Sequence, residues 1–265
     1  MSDAAREREC RRERLGGEIS IVIPAYNEAK RIVASLEDIL RFAEANFDEF
    51  EIIVVDDGSR DKTLEVVRDL GHPRIRCLEN EINSGKGFSV RRGMLAARHD
   101  PVLFTDADLS APIADLRALL AAIRDGADIA IGSRKLSRDQ TVERSLARKF
   151  MSWAFSFAVN VIAVRGIRDT QCGFKLFRRS CIRQIFSYQL INRWGFDVEV
   201  LTLARIRGLR VDEVAVSWFE SEGTRLHWST PLSMLLEICR VRWNAIRGRY
   251  RRRPEIEESV QALDA

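Results

Sequence analysis

Asp106-Ala107-Asp108 places two carboxylates two residues apart at the end of an apolar run, Pro101 to Asp108 (PVLFTDAD). Side chains so spaced can both reach one hard divalent cation, which carboxylates and substrate phosphates hold together. A cation there would neutralise the charge that builds on a departing diphosphate. The ordinary alternative is a solvated turn, since Asp favours turns after strands. A second acidic pair, Asp56-Asp57, ends another apolar run and opens the segment Asp56-Asp57-Gly58-Ser59. Two such pairs side by side would repel unless a cation or hydrogen-bond donors balance them. Asp57 serves equally as a turn or helix cap, or accepts hydrogen bonds from a base or ribose. Ser84-Gly85-Lys86-Gly87 joins backbone donors and a cation to a predicted helix start, a combination suited to phosphate. Arg134 follows a further apolar run and has the fork that grips two phosphate oxygens; its alternative is a surface arginine.

These residues need a scaffold that brings strand ends together. ISIVIP (Ile19 to Pro24), EIIVVDD, Ile75 to Leu78, PVLFTDAD and ADIAIGSR read as strands, the longer ones uniformly apolar as in strands buried on both faces. Helical patterns separate them at about 29–46, from SRDKTLEVVRDL, at 84–98 and at 112–125. The alternation predicts an α/β fold, a Rossmann-like, mostly parallel sheet flanked by helices, with ligands at the carboxyl ends of the strands. Every acidic pair lies at such an end. Beyond Arg134 come a long apolar helix over 141–165, a Gly/Cys segment DTQCGFKLF, a helix start at RWGFDVEV, a strand in VDEVAVSWFE, and an amphipathic helix from about Pro231 to Arg249 with a basic exit. The simplest division is a frayed terminus over 1–17, a catalytic domain over 18–225 and a basic helical appendage over 226–265.

The chain has 265 residues, 31% of them charged, yet its net charge is only +4. Mixed charge of this kind argues against a nucleic-acid-binding surface. The odd number of scattered cysteines points to free thiols in a reducing compartment. MSDAAREREC lacks the apolar stretch of a secretory signal, and the apolar stretch Phe150 to Val164 falls short of the roughly 20 residues of a spanning helix. The expectation is a cytoplasmic protein, peripheral on the cytoplasmic face of a membrane; a homo-oligomer stays open.

IPAYNEAKRI, VVDDGSRDKT, NSGKGFSVRRG, TDADLSAP and GSRK, in this order and spacing, resemble the GT-A glycosyltransferases of family 2, and among them the polyprenyl-phosphate sugar transferases, over about residues 18–220. The resemblance implies a GT-A fold and inverting transfer of a hexose, glucose first, from a UDP-sugar to a polyprenyl phosphate, with Mg²⁺ or Mn²⁺ as cofactor. It implies that Pro24, Ala25, Tyr26, Asn27 and Glu28 form the first nucleotide loop, and that Asp57 contacts uracil or ribose beside Asp56. Lys86 and Gly87 would close over the base and diphosphate, Asp106 and Asp108 with the intervening Ala107 would hold metal and donor, and Arg134 would contact the transferred phosphate region. Mannose-using relatives often carry Gln where Ser110 stands, which turns the reading toward glucose over GDP-mannose.

On the acceptor side, Gln171, Cys172, Gly173, Phe174, Lys175 and Trp194 resemble segments that line the sugar and acceptor pocket. Asp197 and Glu199 are the candidates for a general base, each with an ordinary alternative: a helix cap for Asp197, a solvated side chain for Glu199. A phosphate acceptor, with a second pKa of roughly 6, needs little deprotonation. Cys172 has no apparent base and reads as a core or pocket-lining thiol. Arg144 and Arg148 flank the apolar helix carrying Trp153, Phe155 and Phe157, a pattern fitting a membrane interface and a lipid phosphate or, alternatively, a core helix. The rival readings are a soluble sugar or glycan acceptor, a nucleotidyltransferase, and a non-enzymatic nucleotide-sugar-binding or membrane-scaffold protein.

Overall fold

A computed structural model describes residues 14–136, 166–219 and 230–251. The expected helix over 141–165, with Arg144 and Arg148, and most of the charged N-terminus lie outside the described residues, as do Arg252 and Arg253. Seven strands form one sheet: β1 (Glu18–Ala25), β2 (Glu49–Asp56), β3 (Ile75–Glu79), β4 (Val102–Thr105), β5 (Ile129–Ser133), β6 (Phe174–Phe177) and β7 (Val211–Ala215). Their order is β3-β2-β1-β4-β6-β5-β7. All neighbours are parallel except that β6 runs antiparallel to both β4 and β5. The helices are α1 (Ile32–Asn46), α2 (Thr63–Asp69), α3 (Lys86–Ala96), α4 (Leu116–Arg124), α5 (Arg179–Phe186), α6 (Phe196–Ile206) and α7 (Thr230–Ile246).

Alternation along the strands divides the core into two layers. Ile19, Ile21, Ile23, Ile52, Val54 and Leu103 meet Leu36, Ile39, Val67 and Leu119 of α1, α2 and α4 on one face. Val22, Ile53, Val55 and Phe104 meet Val90, Ile185, Val198, Leu201, Ile238 and Val241 of α3, α5, α6 and α7 on the other. Burial on both faces is why β1, β2 and β4 carry uninterrupted apolar runs. Gly93 of α3 lets that helix sit on the sheet: a Cβ there would come within 2.4 Å of Val22 Cγ1.

Three elements depart from the sequence reading. DTQCGFKLF contains β6, a strand the polar Lys175 hides from an apolar-run criterion, and its direction makes the sheet mixed. Residues 179–186 form a helix where none was expected. The helix expected from Ser59 onward, in SRDKTLEVVRDL, starts instead at Thr63, whose amide donates 3.0 Å to Asp61 Oδ1. Among the described residues no helix is long and apolar enough to cross a membrane.

Candidate active site

The carboxyl ends of β1, β2, β4 and β5 converge on one edge of the sheet, and β6 enters there from the opposite direction. Asp106 and Asp108 follow β4, both partly exposed. Leu109 between them and the next helix takes a left-handed φ of 46°, and Asp108 Oδ1 accepts the Ser110 amide at 3.1 Å. Lys86 Nζ lies 2.6 Å from Asp106 Oδ1, between the ring faces of Phe104 and Trp194 at 5.5 and 5.4 Å. Burial alone would lower the Lys86 pKa, but Asp106, Asp197 and Asp108 reverse it and hold the ammonium above its ordinary value. Burial raises the pKa of Glu28, and Asp108 and Asp106 add to the rise.

Gly173 shapes the seat of Asp106. In the antiparallel register Thr105 pairs with Phe174, so Gly173 falls opposite Asp106. A Cβ at Gly173 would lie 2.0 Å from Asp106 Oδ2, which glycine alone avoids. Because the clashing atom ends a rotatable side chain, Gly173→Ala is expected to displace the carboxylate rather than unfold the chain. The thermal midpoint should stay within a few degrees while turnover falls at least tenfold; equal losses of both would show a packing defect instead.

The two middle motifs close on each other. Asp57 accepts Asn80 Nδ2 and the Ser84 amide on Oδ1, at 2.8 and 2.9 Å, and the Gly85 amide on Oδ2 at 2.9 Å. The Phe88 amide donates to the Asn192 carbonyl at 3.0 Å. The donors expected to cradle phosphate at Ser84 and Gly85 are therefore engaged by Asp57, leaving the Lys86 ammonium as the cationic contribution of this turn. Asp57 is only 4% exposed, and its observed partners are the protein's own. Asp56 accepts the Ser59 amide at 3.0 Å. Gly85, at φ 103°, and Gly87 press against residues 191–196, where a Cβ would meet Asn192 O at 2.4 Å and Phe196 Cβ at 2.6 Å respectively.

In the first loop, Pro24 and Ala25 end β1 buried, and the Ala25 carbonyl accepts the Asp57 amide at 2.8 Å. Tyr26 is exposed. Asn27, at φ 57°, donates its amide to Ser59 Oγ and accepts the Arg60 amide. The Glu28 amide donates to Thr63 Oγ1, and its carboxylate pairs with Arg31 at 2.7 Å. At the far side Arg134 is gripped by Asp169, Nε and Nη2 donating at 2.7 and 2.8 Å, and it stacks 4.8 Å over the Trp218 ring. Burial opposes ionisation of Asp169, yet the Arg134 pairing holds its pKa below the ordinary carboxylate value. Asp169 and Trp218 lie in segments the sequence marked, DTQCGFKLF and VDEVAVSWFE, but neither was singled out as a partner of Arg134, from which they stand 35 and 84 residues away with no spacing to flag them.

The acceptor-side segment is mostly interior. Cys172 and Phe174 are fully buried, and burial pushes the Cys172 thiol up to about 12, so no thiolate forms near neutral pH. Gln171 is half-buried and Trp194 exposed. Lys175 pairs with Asp197 and donates to the Cys172 carbonyl at 2.6 Å. Burial raises the pKa of Asp197 against that pairing. Asp197 and Glu199, two residues apart on α6, point about 200° apart around the helix. Glu199 turns away from the cleft: it accepts the Leu190 and Ile191 amides, at 3.0 and 2.8 Å, and the Tyr250 hydroxyl at 2.7 Å. The reading of Glu199 as a solvated side chain is corrected accordingly: it is fully buried and fastens residues 190–191 and the C-terminal turn.

Burial is the largest influence on Glu199 and pushes its pKa from 4.5 up to about 7, against the pull of Tyr250 and the two amides. The folded chain thus binds this proton more tightly than the unfolded one, so the contribution is full below pH 4.5 and lost as pH rises through about 7. Above that pH Tyr250 donates to a charged acceptor. Tyr250→Phe should cost about 1.5–3 kcal/mol at pH 8 and about 0.5–1.5 kcal/mol at pH 5, measured by denaturant unfolding. Equal costs at both would place the proton elsewhere.

No group of three or more His, Cys, Asp or Glu arranged to hold a metal occurs among the described residues. A cation at Asp106 and Asp108 would therefore have two protein carboxylates, with phosphate oxygens and water completing its shell. Magnesium and manganese accept that donor set, and the oxygen-only pair fits it.

The mixed sheet of order β3-β2-β1-β4-β6-β5-β7 with paired aspartates directly after β4 is the GT-A fold. Residues 20–186 match the family model Glycosyl transferase family 2, and the chain belongs to that family. It is a hexosyltransferase. It is 43% identical over 240 residues to the dolichyl-phosphate beta-glucosyltransferase of Drosophila melanogaster, covering 84% of this chain and 72% of that one. The dolichyl-phosphate beta-glucosyltransferase of Homo sapiens is 35% identical over 252 residues, covering 88% and 78%. Among solved structures, glucosyl-3-phosphoglycerate synthase from Mycobacterium tuberculosis in complex with UDP superposes with a TM-score of 0.64 at 18% identity, over 92% of this chain and 85% of that one, a likeness of fold.

Proposed function

We propose that the chain transfers glucose from UDP-glucose to a polyprenyl phosphate of the dolichyl type, inverting the anomeric configuration, with Mg²⁺ or Mn²⁺ at Asp106 and Asp108. The observation that carries the acceptor class is the commitment of both acceptor-side carboxylates: Asp197 to Lys175, Glu199 to two amides and a phenol. A sugar hydroxyl needs a base to take its proton. A phosphate monoester, ionised near neutral pH, arrives as a nucleophile. The names of the two similar glucosyltransferases point the same way.

When bound, the cation stabilises negative charge on the leaving diphosphate. The chain's own residues orient the reactants. Asp57 holds the Ser84–Gly85 turn, which presents Lys86 toward the β4 aspartates. Asp169 and Trp218 fix the Arg134 guanidinium at the cleft, where it would meet the phosphate oxygens of a bound substrate. Trp194 offers an exposed ring to the sugar. The catalytic unit spans 18–225, and the appendage 226–265 contributes an outward stripe of Leu236, Trp243 and Ile246 with Arg240 and Arg247 exposed beside it. An apolar stripe with an aromatic and basic flank suits an anionic bilayer surface, and the protein acts peripherally on the cytoplasmic face.

The test is a donor-by-acceptor screen with purified protein and Mg²⁺ or Mn²⁺, offering UDP-glucose or GDP-mannose against polyprenyl phosphate or soluble sugars. Glucosyl lipid from UDP-glucose is expected. Transfer to soluble sugars with none to lipid phosphate would overturn the acceptor assignment; lipid product from GDP-mannose alone would overturn the donor.

A further inference from the structure

The contact between Lys86 and Asp106 sets two roles in opposition. Asp106 Oδ1, one of the oxygens a divalent cation needs, is occupied by the Lys86 ammonium at 2.6 Å. The ammonium is further held between two ring faces, Phe104 below and Trp194 at the open side, each a favourable seat for a cation. A divalent ion arriving there would meet a like charge within a few ångströms and an acceptor already taken. Lysine is also a point charge on a flexible stem: the backbone of its segment is fastened by Asp57, Asn192 and Gln189, while the side chain, at 21% accessibility, is able to swing. A diphosphate is the anion strong enough to draw it off.

We propose that Lys86 is the resident counter-ion of the cation site and releases Asp106 only when a nucleoside diphosphate arrives, so that divalent cation and donor bind dependently on each other. The proposal rests on the reading of Asp106 and Asp108 as cation ligands. Before donor binds, Lys86 neutralises Asp106 and keeps the acidic edge from holding a cation prematurely. Once a diphosphate accepts the ammonium, Asp106 turns from ion-pair partner to ligand. Reciprocity requires that the cation raise diphosphate affinity by the same factor by which diphosphate raises cation affinity, typically about 5–150-fold.

The test measures Mn²⁺ binding by the electron spin resonance of free Mn²⁺, on the full chain, with and without UDP. In the absence of UDP, Lys86→Gln is expected to bind Mn²⁺ about tenfold more tightly than the unsubstituted protein, and the gain in Mn²⁺ affinity produced by UDP should shrink. Lys86→Met, which keeps an apolar stem between the rings, is the second variant; a damaged fold does not tighten metal binding. If both variants bind Mn²⁺ no better than the unsubstituted protein while Asp106→Asn loses it, the counter-ion role is wrong and the cation site stands. If a chain carrying both Asp106→Asn and Asp108→Asn binds Mn²⁺ undiminished, the cation site itself is wrong and the counter-ion proposal falls with it.

Discussion

Asp106→Asn is expected to lower turnover by a factor on the order of 10²–10³ with the fold intact. The magnitude follows from several kcal/mol of charge stabilisation at a leaving diphosphate, at about 1.4 kcal/mol per tenfold. The fold should survive because Asp106 is partly exposed, with its side chain at 25% accessibility, and because Asn keeps its volume beside Gly173. Lys86 loses its nearest counter-charge but retains Asp108 and Asp197 in its field. Steady-state kinetics beside a thermal melt separate the outcomes. A near-normal rate would remove Asp106 from the chemistry, and a melt lowered in proportion to the rate would make its role structural.

The second large effect lies in the interior. Lys175→Met is expected to destabilise the chain by about 3–5 kcal/mol, the cost of leaving one partner of a buried ion pair uncompensated. Lys175 is 1% exposed, Asp197 4%, and the ammonium meets Asp197, the Cys172 carbonyl and the Phe104 face. Adding Asp197→Leu to Lys175→Met should restore most of the loss, because an apolar pair avoids desolvating two charges. Denaturant unfolding of the single and double variants decides it. A single variant as stable as the parent would mean that water reaches the pair. A double variant no better than the single would mean that packing, not charge, carries the cost.

What the sequence disclosed follows the physics of each element. β1, β2 and β4 are buried on both faces, so their apolar runs stand out, and the carboxylates after them mark the edge where ligands bind. β6 was hidden because its Lys175 breaks the apolar pattern, and the compensating Asp197 lies 22 residues on. A buried charge looks like a surface residue until its partner is placed in space. Helix α5 was missed for a related reason: in RSCIRQIF the buried Cys181, Ile182, Ile185 and Phe186 share one face, but the stretch is only about two turns long and Arg179 and Arg183 interrupt its apolar pattern. At the site, residue types were legible where contacts were not. Asp57 is an acidic strand end by sequence, whereas only the fold shows that its oxygens satisfy the turn carrying Lys86. Gly173 reads as a pocket glycine, and the antiparallel register explains it as the space Asp106 needs. Arg134 was visible, but its clamp by Asp169 and Trp218 was not, because contacts across 35 and 84 residues leave no local pattern.

The most direct test of the central claim is the anomalous scattering of manganese in crystals grown with UDP-glucose and Mn²⁺. One strong peak is expected between the carboxylates of Asp106 and Asp108, bordered by the donor diphosphate, with Lys86 Nζ withdrawn from Asp106. Donor bound at this edge with no manganese between those two side chains, or manganese and donor together at another place, would contradict it.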